Sequence, residues 1–78
     1  MGLIQMIKVL FFGVVADKLG QRSTDMQAGQ TLAELIDKVD CVDIHPLLVA
    51  VNQEQTDDMD YVLQDGDEVA LMPPFSGG

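Results

Sequence analysis

The first strongly apolar stretch of the chain carries hydrophobic residues on both parities. From Met6 to Val15, Ile7, Val9 and Phe11 fall on one parity and Leu10, Phe12 and Val14 on the other, with Lys8 the one charge. β-branched and aromatic residues favour pleated backbone, and a strand that does not alternate is one buried on both faces. The pattern therefore predicts a central strand over 6–15. Asp17-Lys18-Leu19-Gly20-Gln21 carries turn chemistry, and residues 23–27 predict a second, weaker strand stopped by Ala28-Gly29, so that the two form a hairpin.

The period then changes. Leu32, Leu35, Ile36 and Val39 recur at i, i+3, i+4 and i+7, which places them on one helical face while Glu34, Asp37 and Lys38 point outward. Thr31-Leu32-Ala33-Glu34 has the spacing of a capping box, in which the Thr hydroxyl and the Glu carboxylate each satisfy a backbone N–H that the first helical turn leaves orphaned. The helix is expected to stop near Asp40, because His45-Pro46 does not extend it.

Residues 47–51 predict another buried strand, with Asn52-Gln53 turning the chain. Residues 56–60 read as a polar loop, Tyr61-Val62-Leu63 as a short extended piece, and Asp65-Gly66-Asp67 as a tight turn into a strand over 68–72. Two strands, one main helix and two or three further strands make an α+β domain, with the helix packed across one face of a mixed sheet. Among small folds of this order the β-grasp is the leading expectation, with the domain over 1–72 and a tail over 73–78.

Size and charge narrow the function. A chain of 78 residues has room for one core, since small chains bury only about 60% of their unfolded surface. The hydrophobic fraction of 47% separates it from disordered segments. Thirteen acidic and four basic residues leave a net charge of −9, which repels nucleic-acid phosphates and anionic membrane surfaces. Acidity that merely keeps a small protein soluble and acidity that steers it onto a basic partner both fit.

Cys41 is the single cysteine, so no intramolecular disulfide, four-cysteine cluster or cysteine-rich zinc site is available, and a reducing cytoplasm is expected. No run approaches the roughly 20 apolar residues that span a bilayer. Leu10 to Ala16 is too weakly preceded by positive charge to be a signal peptide, and Met1-Gly2 lacks the later Ser or Thr of a myristoylation signal, where Met6 stands.

After Met72 the pattern breaks into Pro73-Pro74-Phe75-Ser76-Gly77-Gly78. Adjacent prolines end a strand and favour extended, solvated backbone. Six such residues reach up to roughly 20 Å, enough to thread a terminus into a neighbouring active site. Gly77 and Gly78, without Cβ atoms, pass a narrow channel and let a reactant approach closely. By chance, two terminal glycines in succession arise in about one chain in 200.

Three stretches carry a resemblance: Ile7-Lys8-Val9-Leu10-Phe11-Phe12-Gly13, the turn Ala50-Val51-Asn52-Gln53-Glu54, and Asp65-Gly66-Asp67-Glu68-Val69-Ala70-Leu71 leading into Pro73 to Gly78. Over residues 6–78 the chain resembles the small-subunit family of molybdopterin synthase, sulfur carriers similar in fold to ubiquitin. The resemblance implies that an adenylating enzyme uses ATP to activate the Gly78 carboxylate, that sulfur then replaces AMP to leave a thiocarboxylate, and that a large catalytic subunit uses this sulfur to form the dithiolene of molybdopterin from a cyclic pyranopterin. It implies a heterotetramer of two small and two large subunits, a carrier that is not itself the catalyst, and no cofactor bound by this chain. Pro73, Pro74, Phe75, Ser76 and Gly77 would enter the partner, with Phe75 as an apolar anchor. Family members commonly begin where Met6 stands, so residues 1–5 read as an N-terminal extension. Sulfur carriage for thiamine, or a ubiquitin-like modifier joined to lysines, are the alternatives from the same fold.

Other constellations are weaker. His45 and Cys41 lack a placed partner for nucleophilic catalysis, and Cys41 at a helix end is more often a small core residue. Asp57-Asp58 with Asp60 lacks the glycine and closing glutamate of a calcium loop, so no metal site is expected. The seven glycines fall in no phosphate-binding spacing, so ATP belongs to the partner. An acyl carrier protein would need an Asp-Ser-Leu attachment site, which is missing.

Overall fold

The computed structural model describes residues 5–39 and 47–73. Its elements are β1 (Met6–Phe11), α1 (Gly13–Leu19), β2 (Ser23–Gln27), α2 (Leu32–Lys38), β3 (Leu48–Val51), β4 (Glu54–Thr56) and β5 (Glu68–Met72). The strands form one sheet in the order β2-β1-β5-β3-β4. β1 and β5 are parallel, and the other pairs are antiparallel. This is the β-grasp arrangement that the element order predicted, with the first and last strands side by side at its centre.

One face of the sheet and α2 enclose the core. Ile7, Val9 and Phe11 of β1, Val49 of β3, and Val69 and Leu71 of β5 point to that face and pack with Leu32, Leu35 and Ile36 of α2. Leu63 and Val15 close its ends. α2 begins as its spacing predicted: the Thr31 hydroxyl accepts from the Glu34 N–H at 3.2 Å, and the Glu34 carboxylate accepts from the Thr31 N–H at 2.8 Å. That bond, above all, holds the Glu34 carboxyl below its ordinary range. Val39 caps the other end, half-buried against the core.

The expected strand over 6–15 ends early. β1 stops at Phe11, and the apolar run continues as α1, in which Val15 is buried and Val14 exposed. Gly13 sits at φ +55°, which no strand holds, and Gly20 at φ +69° closes the helix with its N–H on the Ala16 carbonyl. The stretch read as a turn over 17–21 is thus the last turn and cap of a second, short helix. β1 and β2 do pair antiparallel, but α1 joins them in place of a hairpin turn. Nor is β1 buried on both faces, since Lys8 is exposed and Leu10 half-buried.

The remaining difference is β4. Asn52 and Gln53 both have positive φ, 52° and 70°, the two-residue turn whose twist suits a hairpin, and β4 returns along β3 from there. Val62 forms an isolated bridge with Thr31 in place of a strand.

Candidate functional site

β5 is the strand from which the C-terminal segment departs, and it is held on both sides. Val69 and Leu71 are fully buried, between β1 and β3. At its far end the Phe12 N–H donates to the Leu71 carbonyl at 3.1 Å. Pro73 follows, half-buried against the start of α1: a Cβ on Gly13 would lie 3.0 Å from the proline Cγ. Pro73 is therefore seated on the domain. Pro74, Phe75, Ser76, Gly77 and Gly78 lie outside the described residues, as do Cys41 and His45. Residues 1–4 of the expected extension also lie outside, while the Gln5 carbonyl accepts from the Ala28 N–H at 3.0 Å.

The near end of β5 is tied by a buried carboxylate. Asp67, 9% exposed, accepts from the Gln64 N–H at 2.8 Å, the Asn52 amide at 2.9 Å and the Tyr61 hydroxyl at 3.0 Å. Burial pushes its carboxyl up, yet these three bonds together outweigh burial and hold it below the usual carboxylate range. The Tyr61 hydroxyl is pushed up, first by its bond to Asp67 and then by burial. Asn52 completes the knot by accepting from the Glu68 N–H at 3.0 Å. Two of the stretches that carried the family resemblance, the Asn52 turn and the Asp65-Gly66-Asp67 turn, thus meet in space and fix where β5 starts.

The outer face of the sheet, away from α2, is apolar across its middle. The strand register lines up Ser23, Leu10, Ala70, Ala50 and Gln55 in one row and Met72 with Leu48 in the next, toward the end where the chain leaves the sheet. Phe12, just past β1, is 47% exposed. A shallow groove of about 370 Å³ runs along this face, lined by Leu10, Phe12, Ala50, Gln53, Glu68, Ala70 and Met72. Leu10, Ala70 and Met72 are half-buried, Ala50 is buried and Phe12 exposed, so the strip is apolar and open to a partner without any helix over it. The sequence pattern placed Leu10 and Phe12 in a strand buried on both faces and Ala50 in another buried strand, and gave Ala70 and Met72 a strand with no face assigned. The signal was present all the same, because a sheet with helices on one side has no cover for apolar residues of the second parity.

The acidic run after β4 is built locally. In the loop after β4, the Thr56 hydroxyl accepts from the Asp58 N–H at 3.1 Å and the Asp58 carboxylate from the Asp60 N–H at 3.2 Å, so the acidic run builds its own turn. Among the described residues no three His, Cys, Asp or Glu side chains are grouped to hold a metal ion. No described helix is long and apolar enough to cross a membrane.

Known proteins share both sequence and architecture with this chain. A family model described as the ThiS family matches residues 9–78. The molybdopterin synthase sulfur carrier subunit of Escherichia coli is 39% identical, with 94% of this chain and all of that protein aligned. The Homo sapiens protein of the same name is 34% identical over 92% of this chain and 93% of its own. A solved structure described as a protein–protein complex of subunits 1 and 2 of the molybdopterin-converting factor from Helicobacter pylori contains a chain that is 27% identical, with a TM-score of 0.69 and 94% and 99% coverage.

Proposed function

This chain belongs to the ThiS family, and from that membership we propose that it is the sulfur carrier subunit of a molybdopterin synthase. The observation that carries the reading is its likeness, over nearly the whole length, to two curated sulfur carrier subunits of that synthase. Both names favour the molybdopterin pathway over thiamine synthesis and over lysine modification. The Helicobacter pylori complex supports a large-subunit partner.

The chemistry follows from the end of the chain. A carboxylate is a poor electrophile, so an ATP-using adenylating enzyme first lets the Gly78 carboxylate attack the α-phosphorus, expelling pyrophosphate and leaving an acyl adenylate. Sulfur at the sulfide oxidation level then attacks the acyl carbon and displaces AMP, so that the only bonds exchanged are the acyl C–O of the adenylate and the new C–S. The resulting thiocarboxylate is ionised at neutral pH and is a soft nucleophile toward the pterin precursor. One terminus carries one sulfur, so a dithiolene consumes two loaded chains, in keeping with a heterotetramer of two small and two large subunits. The carrier supplies no catalytic side chain; the active site lies on the large subunit, and ATP binds the adenylating enzyme. The assembly works in the cytoplasm.

The domain's contribution is docking and aim. The apolar strip of Leu10, Phe12, Ala70 and Met72 meets the partner, and β5, tied at both ends, delivers Pro73 to a fixed point. Pro74 to Gly77 span from there into the partner's site, with Phe75 as the anchor. Intact-mass spectrometry of the protein from sulfur-replete cells tests the reading: an oxygen-to-sulfur increase localised to Gly78 is expected, and its absence, with the cell's adenylating enzyme active, would reject it.

A further inference from the structure

Charge is divided between the two halves of this chain. All four basic residues and four of the acidic ones lie in residues 1–38, which are therefore neutral, while the other nine acidic residues lie in residues 39–78 with no Lys or Arg among them. The fold turns this division into a spatial one. The basic residues sit on β1, α1, α2 and the turn before β2 (Lys8, Lys18, Lys38 and Arg22), whereas β4 and the loop that follows it carry Glu54, Asp57 and Asp58, all exposed. In the strand order β2-β1-β5-β3-β4, one edge of the sheet is acidic and the other is close to neutral. The apolar strip lies between them.

An apolar strip binds by area and discriminates poorly among rotations about its own normal, because burial has no direction. Charge at one border does discriminate, since like charges juxtaposed cost several kcal/mol and opposite ones speed encounter. From this placement, and resting on the reading that the outer sheet face meets the synthase large subunit, we infer that the acidic β4 edge is the orienting part of the docking surface. The partner is a protein whose apolar contact area is flanked on one side by Lys and Arg. Meeting the β4 edge with that flank sets the one rotation in which Pro73 points at the partner's site. The net charge of the chain is thereby a steering device, beyond its value for solubility.

Association of the full chain with the molybdopterin synthase large subunit of the same organism, followed by stopped flow, tests this. Between about 0.01 M and about 0.15 M salt the screening length shrinks from about 30 Å to about 8 Å, and the association rate constant is expected to fall at least about tenfold. A Glu54→Gln, Asp57→Asn, Asp58→Asn triple variant should lose about fivefold in association rate at the lower salt and flatten the salt dependence, with dissociation unchanged. An Asp17→Asn, Asp25→Asn, Asp37→Asn triple variant removes the same charge from the other half and should stay within about twofold of the parent. Equal losses in the two triples would overturn the orientation, leaving total charge as the cause. A complex that forms with a flat salt dependence would overturn the steering alone, while failure to associate at any salt would reject the functional reading and the steering with it.

Discussion

Removing the Asp67 carboxylate is the most informative perturbation of the scaffold that aims the C-terminus. In Asp67→Ala the Gln64 N–H, the Asn52 amide and the Tyr61 hydroxyl lose a shared, charged acceptor at 2.8, 2.9 and 3.0 Å. A hydrogen bond to a charged group contributes about 1.5–3 kcal/mol. The three do not add in full, because Asn52 and Gln64 are exposed enough for water to replace part of what they lose. A net loss of about 2–3 kcal/mol is expected, a large share of the roughly 5 kcal/mol typical of so small a domain. With a urea m-value of about 1 kcal/mol/M the unfolding midpoint should drop by about 2–3 M. Asp67→Asn retains shape and one acceptor oxygen, and should lose about 1 kcal/mol.

The pH dependence supplies a second readout with a defined sign. The Asp67 carboxyl is held below its ordinary value of 3.8, so the folded state binds the proton less readily than the unfolded one. Its contribution is complete above that value and is lost as pH falls through the lower, folded-state pKa. The stability gap between the parent and Asp67→Asn, measured by urea unfolding, should therefore be constant from neutral pH down to about 5 and should narrow below about 4. An Asp67→Ala variant within about 0.5 kcal/mol of the parent at neutral pH would refute the reasoning. A gap that does not change on acidification would do the same.

Three further outcomes follow from the structure and the proposed function. Deleting Gly78, or adding one residue after it, should abolish sulfur transfer in a reconstituted synthase assay while leaving the melting temperature unchanged; full activity in the extended protein would contradict a terminal carrier. Phe12→Asp and Met72→Glu place charge on the outer apolar strip and should weaken large-subunit binding, measured by calorimetry, by at least about tenfold. Phe12 is exposed in the free protein, so its substitution should move stability by no more than about 0.5 kcal/mol. Thr31→Ala removes the hydroxyl acceptor that caps α2 and should lower unfolding stability by about 1 kcal/mol; a Thr31→Ser variant should recover most of it.

Local chemistry made much of this fold legible. The Thr31–Glu34 cap, the face formed by Leu32, Leu35 and Ile36, the turn at Asn52-Gln53 and the strand over 68–72 each arise from neighbours in sequence, where a side chain and the backbone it satisfies are a few residues apart. Where local preference was divided, reading failed: Val14 and Val15 suit a strand, and only the packing of Val15 into the core beside a left-handed Gly13 makes that stretch α1.

Tertiary structure alone decided the rest. That β1 lies beside β5 is a pairing between opposite ends of the chain, sealed by bonds such as that of the Met6 N–H to the Asp65 carboxylate, 59 residues away. No sequence window contains such a contact. The same pairing decides which parity of apolar residues faces α2, and so leaves Leu10, Phe12, Ala70 and Met72 on the uncovered side as an apolar strip. It also gathers Asn52, Tyr61 and Asp67 into one knot and sets β4, with Glu54, at one edge of the sheet. Hydrophobic period says that a residue has a buried side; which surface does the burying, its own helix or a partner protein, is fixed only when distant strands meet.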